Sequence, residues 1–429
     1  MKTLSFFSDQ KQPMKLLLAK TSNLILPGLI LFALGCSKSN STTSSTSTLT
    51  TNQKTLTIGA NTNSKDTFNI ETNIAWTAST DQSWLTLSSA SGNGNASIVA
   101  TAAVNFGDSN TRSANITIKA SGVPDQTIVV TQEAGIVVVA GNGTRGSGLN
   151  QLDHPYGIYV DDAKNVYVAE IFNNRVTQWA PGATQGTIVA GNGIQGSSLN
   201  QLNYPSGVFV DNSGNIFVSD DNNMQAVEWL KGASQGTIVA ITDTNKIINT
   251  NAPVSIFIDG SGNIFMSEQD AERVVKWTPG NLQGTVVAGT GVYGPALNQL
   301  NNPDGLYVNS AGDIYVSDAG NNRVMKWANG ASQGVIVAGT GTSGSALNQL
   351  QGSFGITIDK NGNLYVADSG NMRVMKWAPG ATQGTVVAGT GTYGSSLNQL
   401  GSPEGLFVDA DGYIYVSDTN NSRVVRWAQ

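Results

Sequence analysis

Thr285-Val286-Val287-Ala288, the loop Gly289 to Asp304, Gly305-Leu306-Tyr307-Val308, Asn309-Ser310-Ala311-Gly312-Asp313, Ile314-Tyr315-Val316-Ser317 and, after Asp318 to Asn322, Arg323-Val324-Met325-Lys326-Trp327 make up one unit of the chain. Short apolar runs separated by Gly, Asn, Asp and Ser, residues that suit tight turns and positive φ, read as four strands. The inner strands are apolar throughout, as expected when neighbouring sheets cover both faces. The strand Arg323 to Trp327 alternates more and is expected to be the outer, half-exposed one. The unit recurs: Trp179, Trp229, Trp277, Trp327, Trp377 and Trp427 lie 50, 48, 50, 50 and 50 residues apart. A period of this length in short strands predicts an all-β, six-bladed β-propeller over residues 136–429.

The phase of the repeat predicts how the ring closes. Ile136-Val137-Val138-Val139-Ala140 matches the strand that follows each Trp, and the last Trp has no such strand after it. The first strand is therefore expected to complete the blade formed by residues 405–427, removing the edges an open array would leave. The six tryptophans, each repeated once per blade, are expected to pack blades rather than bind ligand.

Pro303-Asp304-Gly305-Leu306-Tyr307-Val308, Gly312-Asp313-Ile314-Tyr315-Val316-Ser317-Asp318 and Asn321-Asn322-Arg323-Val324 resemble the NHL repeat. Blades one, five and six carry the pattern almost intact. Blade two is read as placing Ala226 where Arg323 stands. Blade three departs most: its loop Thr242 to Asn251 lacks the Gly-Thr-Gly and Leu-Asn-Gln-Leu elements, and Ser255 replaces the strand-opening Gly. Some NHL propellers bind RNA on a basic face. Residues 136–429 carry 14 Lys plus Arg against 22 Asp plus Glu, an excess of 8 negative charges, which argues against a phosphate-neutralising surface.

Upstream, Lys11, Lys15 and Lys20 precede the apolar stretch Leu24 to Leu34, which runs into Ala33-Leu34-Gly35-Cys36, where Cys36 is the single cysteine. The arrangement resembles a bacterial lipoprotein signal over residues 1–35, which implies lipidation at Cys36 and a place in the cell envelope. Residues 36–53, rich in Ser and Thr, cannot bury a core and are expected to be a flexible stalk.

Residues 54–134 lack the period and contain about seven alternating runs, which predicts a small Ig-like β-sandwich. Trp76, Trp84-Leu85, Ser91-Gly92-Asn93-Gly94, Arg112 and Val129-Val130-Thr131-Gln132 resemble the BACON domain of Bacteroidetes surface proteins. That resemblance implies a spacer or an accessory carbohydrate-binding module. Trp76 and Trp84 sit in apolar alternation and are expected in the core, where each would contribute roughly 4 to 6 kcal/mol gross.

Catalytic motifs are sparse. His154 is the sole histidine, so a three-histidine zinc site is impossible. Asp211, Asp359 and Asp409 open Asx-Gly turns that superficially resemble calcium loops but lack the bidentate Glu at position twelve, and are expected to be hairpin turns. Glu170, Asp220, Glu268, Asp318, Asp368 and Asp418 close each second strand, and Arg175, Arg273, Arg323, Arg373 and Arg423 follow five residues on; these are expected to be structural ties.

What differs between blades points to a binding face. The position just before each inner strand's Gly holds Tyr156, Ser206, Val254, Asp304, Phe354 or Glu404, and the long loops add Arg145, Gln195, Tyr293, Ser343 and Tyr393. Aromatic rings beside carboxylates and hydroxyls suit a glycan or a protein segment. The expected function is thus a non-catalytic, lipid-anchored monomer that binds a glycan or protein through Arg145, Tyr156, Ser206, Tyr293, Asp304, Phe354, Tyr393 and Glu404. It would touch the membrane through its anchor only and bind no nucleic acid. The alternative is a calcium-dependent propeller hydrolase or lyase with Asp304 and Glu404 holding the cation.

Overall fold

The computed structural model describes residues 46–105, 110–242 and 252–429. The segment read as signal peptide, Cys36 and most of the stalk lie outside the described residues, as does nearly all of the blade-three loop. Residues 47–429 form one compact unit.

The sandwich begins earlier than expected. Leu49–Thr51, assigned from its Ser/Thr-rich surroundings to the stalk, is a strand paired with Lys65–Thr72. Two sheets result, one of four strands and one of five. Phe68, Ile98, Ile116, Ile118, Ile128 and Val130 fill the space between them. Trp76 is 3% exposed and donates its indole N–H to Gly94 O at 2.9 Å, so its ring belongs to the core as expected. Gly92 is required against it, since a Cβ there would meet the ring at 2.5 Å. Trp84 packs on the edge of that core with the Arg112 guanidinium 4.5 Å from its centroid.

From Ile136 onward, the described residues form six four-stranded antiparallel sheets. Their first strands, Pro155–Val160, Pro205–Val210, Pro253–Ile258, Pro303–Val308, Ser353–Ile358 and Pro403–Val408, each touch the next, and the last touches the first. Ile136–Ala140 joins the sheet of the last blade, with Ile136 opposite Trp427, which is the closure anticipated from the repeat phase. The order within a blade corrects one expectation. The strand ending in Trp is third from the centre and almost wholly buried; the outer, exposed strand is the Thr-Val-Val-Ala run, as in Thr285–Gly289. The Arg-to-Trp strands need apolar residues on both sides because the outer strand covers one edge and neighbouring blades the faces. The tryptophans are 1–2% exposed.

The five carboxylate–arginine pairs are structural, as expected. Arg323 Nε donates to Asp318 Oδ2 at 2.6 Å while Nη1 and Nη2 donate to Pro295 O and Ala296 O at 2.8 and 3.0 Å. Arg175, Arg373 and Arg423 reach the same loop carbonyls in their own blades, so in four blades the pair fastens the long loop. In blade two the partner is Gln225, not the Ala226 expected from sequence: Gln225 Nε2 donates to Asp220 Oδ2 at 2.9 Å. The Asx turns are hairpins, with Asp211 Oδ1 accepting from Ser213 N and Asn215 N at 2.9 and 2.8 Å.

The sandwich is fixed to the sixth blade by hydrogen bonds. Ala60 N donates to Tyr413 Oη at 3.0 Å, Thr62 N to Gln429 O at 2.6 Å, and Gln429 N to Asn61 Oδ1 at 2.9 Å.

Candidate functional site at the channel mouth

The six first strands enclose an axial channel with a cavity of about 280 Å³. Close approach of the strands depends on the glycine that follows each candidate position. A Cβ on Gly305 would lie 2.3 Å from Phe354 O, and one on Gly355 2.4 Å from Glu404 O. Ser255 replaces this glycine in blade three.

Tyr156, Ser206, Val254, Asp304 and Glu404 line the channel at its long-loop end. Phe354 stands beside them rather than in the lining, its ring edge-on to Tyr156 at 6.2 Å. The structure thus brings together Tyr156, Ser206, Asp304, Phe354 and Glu404 of the residues expected to bind ligand. Tyr156 Oη donates to Asp304 Oδ2 at 2.5 Å across the channel, linking blades one and four.

Serines on the second strands position these residues. Ser417 Oγ donates to Tyr156 O at 2.7 Å, and Ser267 Oγ to Asp304 O at 2.6 Å. Each ties the site residue of one blade to the blade before it. The loop leading to Asp304 is anchored as well, because Asn301 N donates to Asp318 Oδ1 at 2.7 Å.

Protonation follows from burial. Desolvation pushes Asp304 up to about 7 even though the Tyr156 hydrogen bond opposes it, with the nearby Glu404 and Asp221 charges adding to the rise. Burial and then the Asp304 charge hold the Tyr156 hydroxyl well above its ordinary value, so Tyr156 is a donor at neutral pH. Burial likewise pushes Glu404 up to about 7. Two hydroxyls oppose that rise. Thr419 Oγ1 lies 2.6 Å from Pro155 O and 2.9 Å from Glu404 Oε2, a donor shared between the two acceptors. Ser402 Oγ donates to the other oxygen at 3.1 Å. The mouth therefore presents two buried carboxyls, Asp304 and Glu404, that both gain and lose a proton near neutrality.

This donor set does not fit calcium. The ion takes six to eight oxygens, whereas Glu404 is engaged by Ser402 and Thr419, and Asp304 by Tyr156. Among the described residues no three His, Cys, Asp or Glu are grouped to hold a metal.

The remaining candidates lie elsewhere. Arg145 pairs with Asp153 at 2.8 Å, its guanidinium 5.3 Å from the Phe172 centroid, while Tyr293 and Tyr393 are 66% and 59% exposed on their loops. None lines the channel. One residue near the mouth escaped the sequence reading: Asp221, which burial, then Asp270 and Asp220, push up to about 7. Its charge reaches both Asp304 and Tyr156. The signal was present, since Asp221 follows the repeated acid position, Asp220, where the other blades have Ile171, Gln269, Ala319, Ser369 and Thr419.

Comparison with known proteins agrees with this architecture. The BACON family, described as a putative binding domain, matches residues 75–133, and the SMP-30/gluconolactonase/LRE-like family matches residues 236–429. No curated protein matches the chain. A Bacteroides thetaiotaomicron protein of unknown function is similar in structure, with a TM-score of 0.58 and 12% identity over 89% of this chain and 98% of its own. A Xanthomonas campestris gluconolactonase gives a TM-score of 0.48 at 12% identity, covering 68% of this chain and 88% of its own. A catalytically inactive variant of the virginiamycin B lyase of Staphylococcus aureus gives 0.44 at 13% identity, covering 66% and 97%. At 12% identity the likeness to the Bacteroides protein is one of fold alone, and the family matches are to a BACON domain over residues 75–133 and to a gluconolactonase-like propeller over residues 236–429.

Proposed function

We propose that this chain is a lipid-anchored protein of the bacterial cell envelope whose NHL-type propeller binds a glycan, without turnover, at the long-loop mouth of its channel. The observation that carries the reading is the Tyr156–Asp304 hydrogen bond across a small cavity beside Glu404, whose carboxyl burial pushes up to about 7. Two carboxyls that accept when ionised and donate when protonated, with aromatic edges beside them, are what a neutral, hydroxyl-rich ring needs, and the cavity is sized for a terminal sugar unit rather than a protein surface. The anchor at Cys36 and the sandwich as a spacer would hold this mouth away from the membrane, with the protein acting as a monomer. A glycan array probed with the mature protein tests the reading, followed by calorimetry with the best ligand. Tyr156→Phe should weaken binding about tenfold or more, since it leaves buried Asp304 unmatched, and Asp304→Asn should do the same, since its amide NH2 replaces an acceptor oxygen offered to the ligand. A ligand that binds both variants as tightly as wild type would refute this site.

A second reading, a metal-independent hydrolase or lyase, draws on the gluconolactonase-like match over residues 236–429 and on two carboxyls that titrate near neutrality. It predicts lactone turnover that Asp304→Asn abolishes and that chelators leave unchanged. Calcium titration should not shift the melting temperature under either reading.

A further inference from the structure

The opposite mouth of the channel, on the short-turn face, is built differently. Tyr159, Phe209, Phe257, Tyr307 and Phe407 occupy the fifth position of five first strands, and Thr357 the sixth place. Successive ring centroids lie 5.2 Å (Phe407 to Tyr159), 5.0 Å (Tyr159 to Phe209), 5.4 Å (Phe209 to Phe257) and 5.3 Å (Phe257 to Tyr307) apart. The planes of these neighbours meet at 61°, 56°, 62° and 62°. Five vertices of a hexagon have this spacing and this turn between walls. In a hexagon the radius equals the side, so a point on the axis lies about 5 Å from all five centroids, inside the ~6 Å reach of a cation–π contact.

The rings are also held in place from behind. Each leans on the apolar core at the seam between two blades: Tyr159 on the cluster holding Val208 and Val218, Phe209 on that of Ile256, Phe257 on that of Leu306, Tyr307 on that of Ile356, and Phe407 on that of Ile158. All five line the channel cavity. Two residues beyond each ring position stand Asp161, Asp211, Asp259, Asn309, Asp359 and Asp409, five carboxylates in the short turns that rim this face of the propeller, outside the channel lining. Burial raises Asp259, but the hydrogen bonds from Asn263 and Ser261 outweigh it and keep the group below its ordinary value. Lys164, at 2.9 Å from Asp409 and 2.8 Å from Asp411, offsets one of these two charges, and Lys276 lies near Asp259. Asp161, Asp162, Asp211 and Asp359 add negative charge to the rim, which Lys231 and Lys360 offset in part.

We propose that this mouth is an aromatic cage for an alkylammonium group, entering along the channel axis with its charge over the five rings and its counter-charges on the rim. The chemistry is shared by a quaternary ammonium headgroup and by a lysine side chain. The rings line the other end of the cavity that Tyr156 and Asp304 line, and the test reads cation binding without any glycan. Calorimetry on the mature protein would compare choline with its neutral isostere, in which carbon replaces nitrogen, and with an N-acetyl-lysine amide. Choline or the lysine amide should bind about tenfold more tightly than the neutral isostere, the preference several aromatic faces give a cation over an apolar group of equal shape. Preference for choline would assign the site to a headgroup, and preference for the amide to a protein side chain. Phe257→Leu should weaken the cation several-fold, and Thr357→Phe, which completes the hexagon without removing a ring, should strengthen it. Equal binding of choline and the isostere, or no saturable binding of either cation to folded protein, would overturn the proposal.

Discussion

Replacing Asp304 by Asn should make the protein more stable, and more so as the pH rises. Asp304 is 2% exposed, and burial pushes it from 3.8 to about 7. Its folded state therefore holds the proton more tightly than its unfolded state. Across the window from about 4 to about 7 the native protein binds more protons than the unfolded chain, so stability must fall as pH rises. Relative to an uncharged isostere, the ionisable group costs about 2 kcal/mol at pH 5 and about 4 kcal/mol at pH 8, where both states are largely ionised. Asparagine is the near-isosteric neutral side chain, and its carbonyl at this position would still accept from Tyr156. The advantage of Asp304→Asn over wild type should thus grow by about 2 kcal/mol between pH 5 and pH 8. Urea denaturation of both proteins at the two pH values, followed by tryptophan fluorescence, reads this directly. Asp220, Asp221 and Glu404, also raised by burial, remain in both proteins and largely cancel in the difference. Curves displaced by the same amount at both pH values would refute the assignment of a neutral, desolvated carboxyl to this mouth.

The carboxylate–arginine ties give a second comparison. Arg323→Ala strands buried Asp318 and should cost about 3–5 kcal/mol, whereas Arg323→Gln copies the natural Asp220–Gln225 pair and should cost clearly less in the same urea assay. Gly355→Ala places a Cβ 2.4 Å from Glu404 O and should cost about 1–3 kcal/mol or more, while Ser255→Gly at the same place in blade three should stay within about 1 kcal/mol. Deleting residues 136–141 removes the strand paired with Arg423–Trp427 and should lower the melting temperature sharply; an unchanged melt would contradict the closure.

The repeat made the blades, their phase and their tryptophans legible, because each blade must solve the same packing problem and solves it with the same residues. Legibility failed where composition or spacing hid the pattern. Leu49–Thr51 is a strand inside a Ser/Thr-rich run, and only its pairing with Lys65–Thr72 reveals it. In blade two, Asp220-Asp221-Asn222-Asn223-Met224-Gln225 offers no arginine to count from, so the partner of Asp220 was misplaced by one residue. The candidate site was half legible for a related reason. Variation between blades marked Tyr156, Ser206, Asp304, Phe354 and Glu404, which gather at the channel mouth, and it marked Arg145, Tyr293 and Tyr393 just as strongly, because a loop tip is as free to vary as a channel mouth. Both sets are followed by glycine, Gly146, Gly294 and Gly394 on the loops and Gly157, Gly207, Gly305, Gly355 and Gly405 in the channel, so what separates them is the neighbour: a glutamine side chain beside the loop glycines, another strand's backbone beside most of the channel ones. A glycine forced by a neighbouring backbone at 2.0 to 2.4 Å, as at Gly157, Gly305, Gly355 and Gly405, identifies where strands converge on the axis, and variation counts as a functional signal only beside such a position. The converse holds for repetition. The tryptophans repeat and are buried, but Tyr159, Phe209, Phe257, Tyr307 and Phe407 also repeat and line the channel, so a residue needed by every blade can still face a ligand when the blades share one axis.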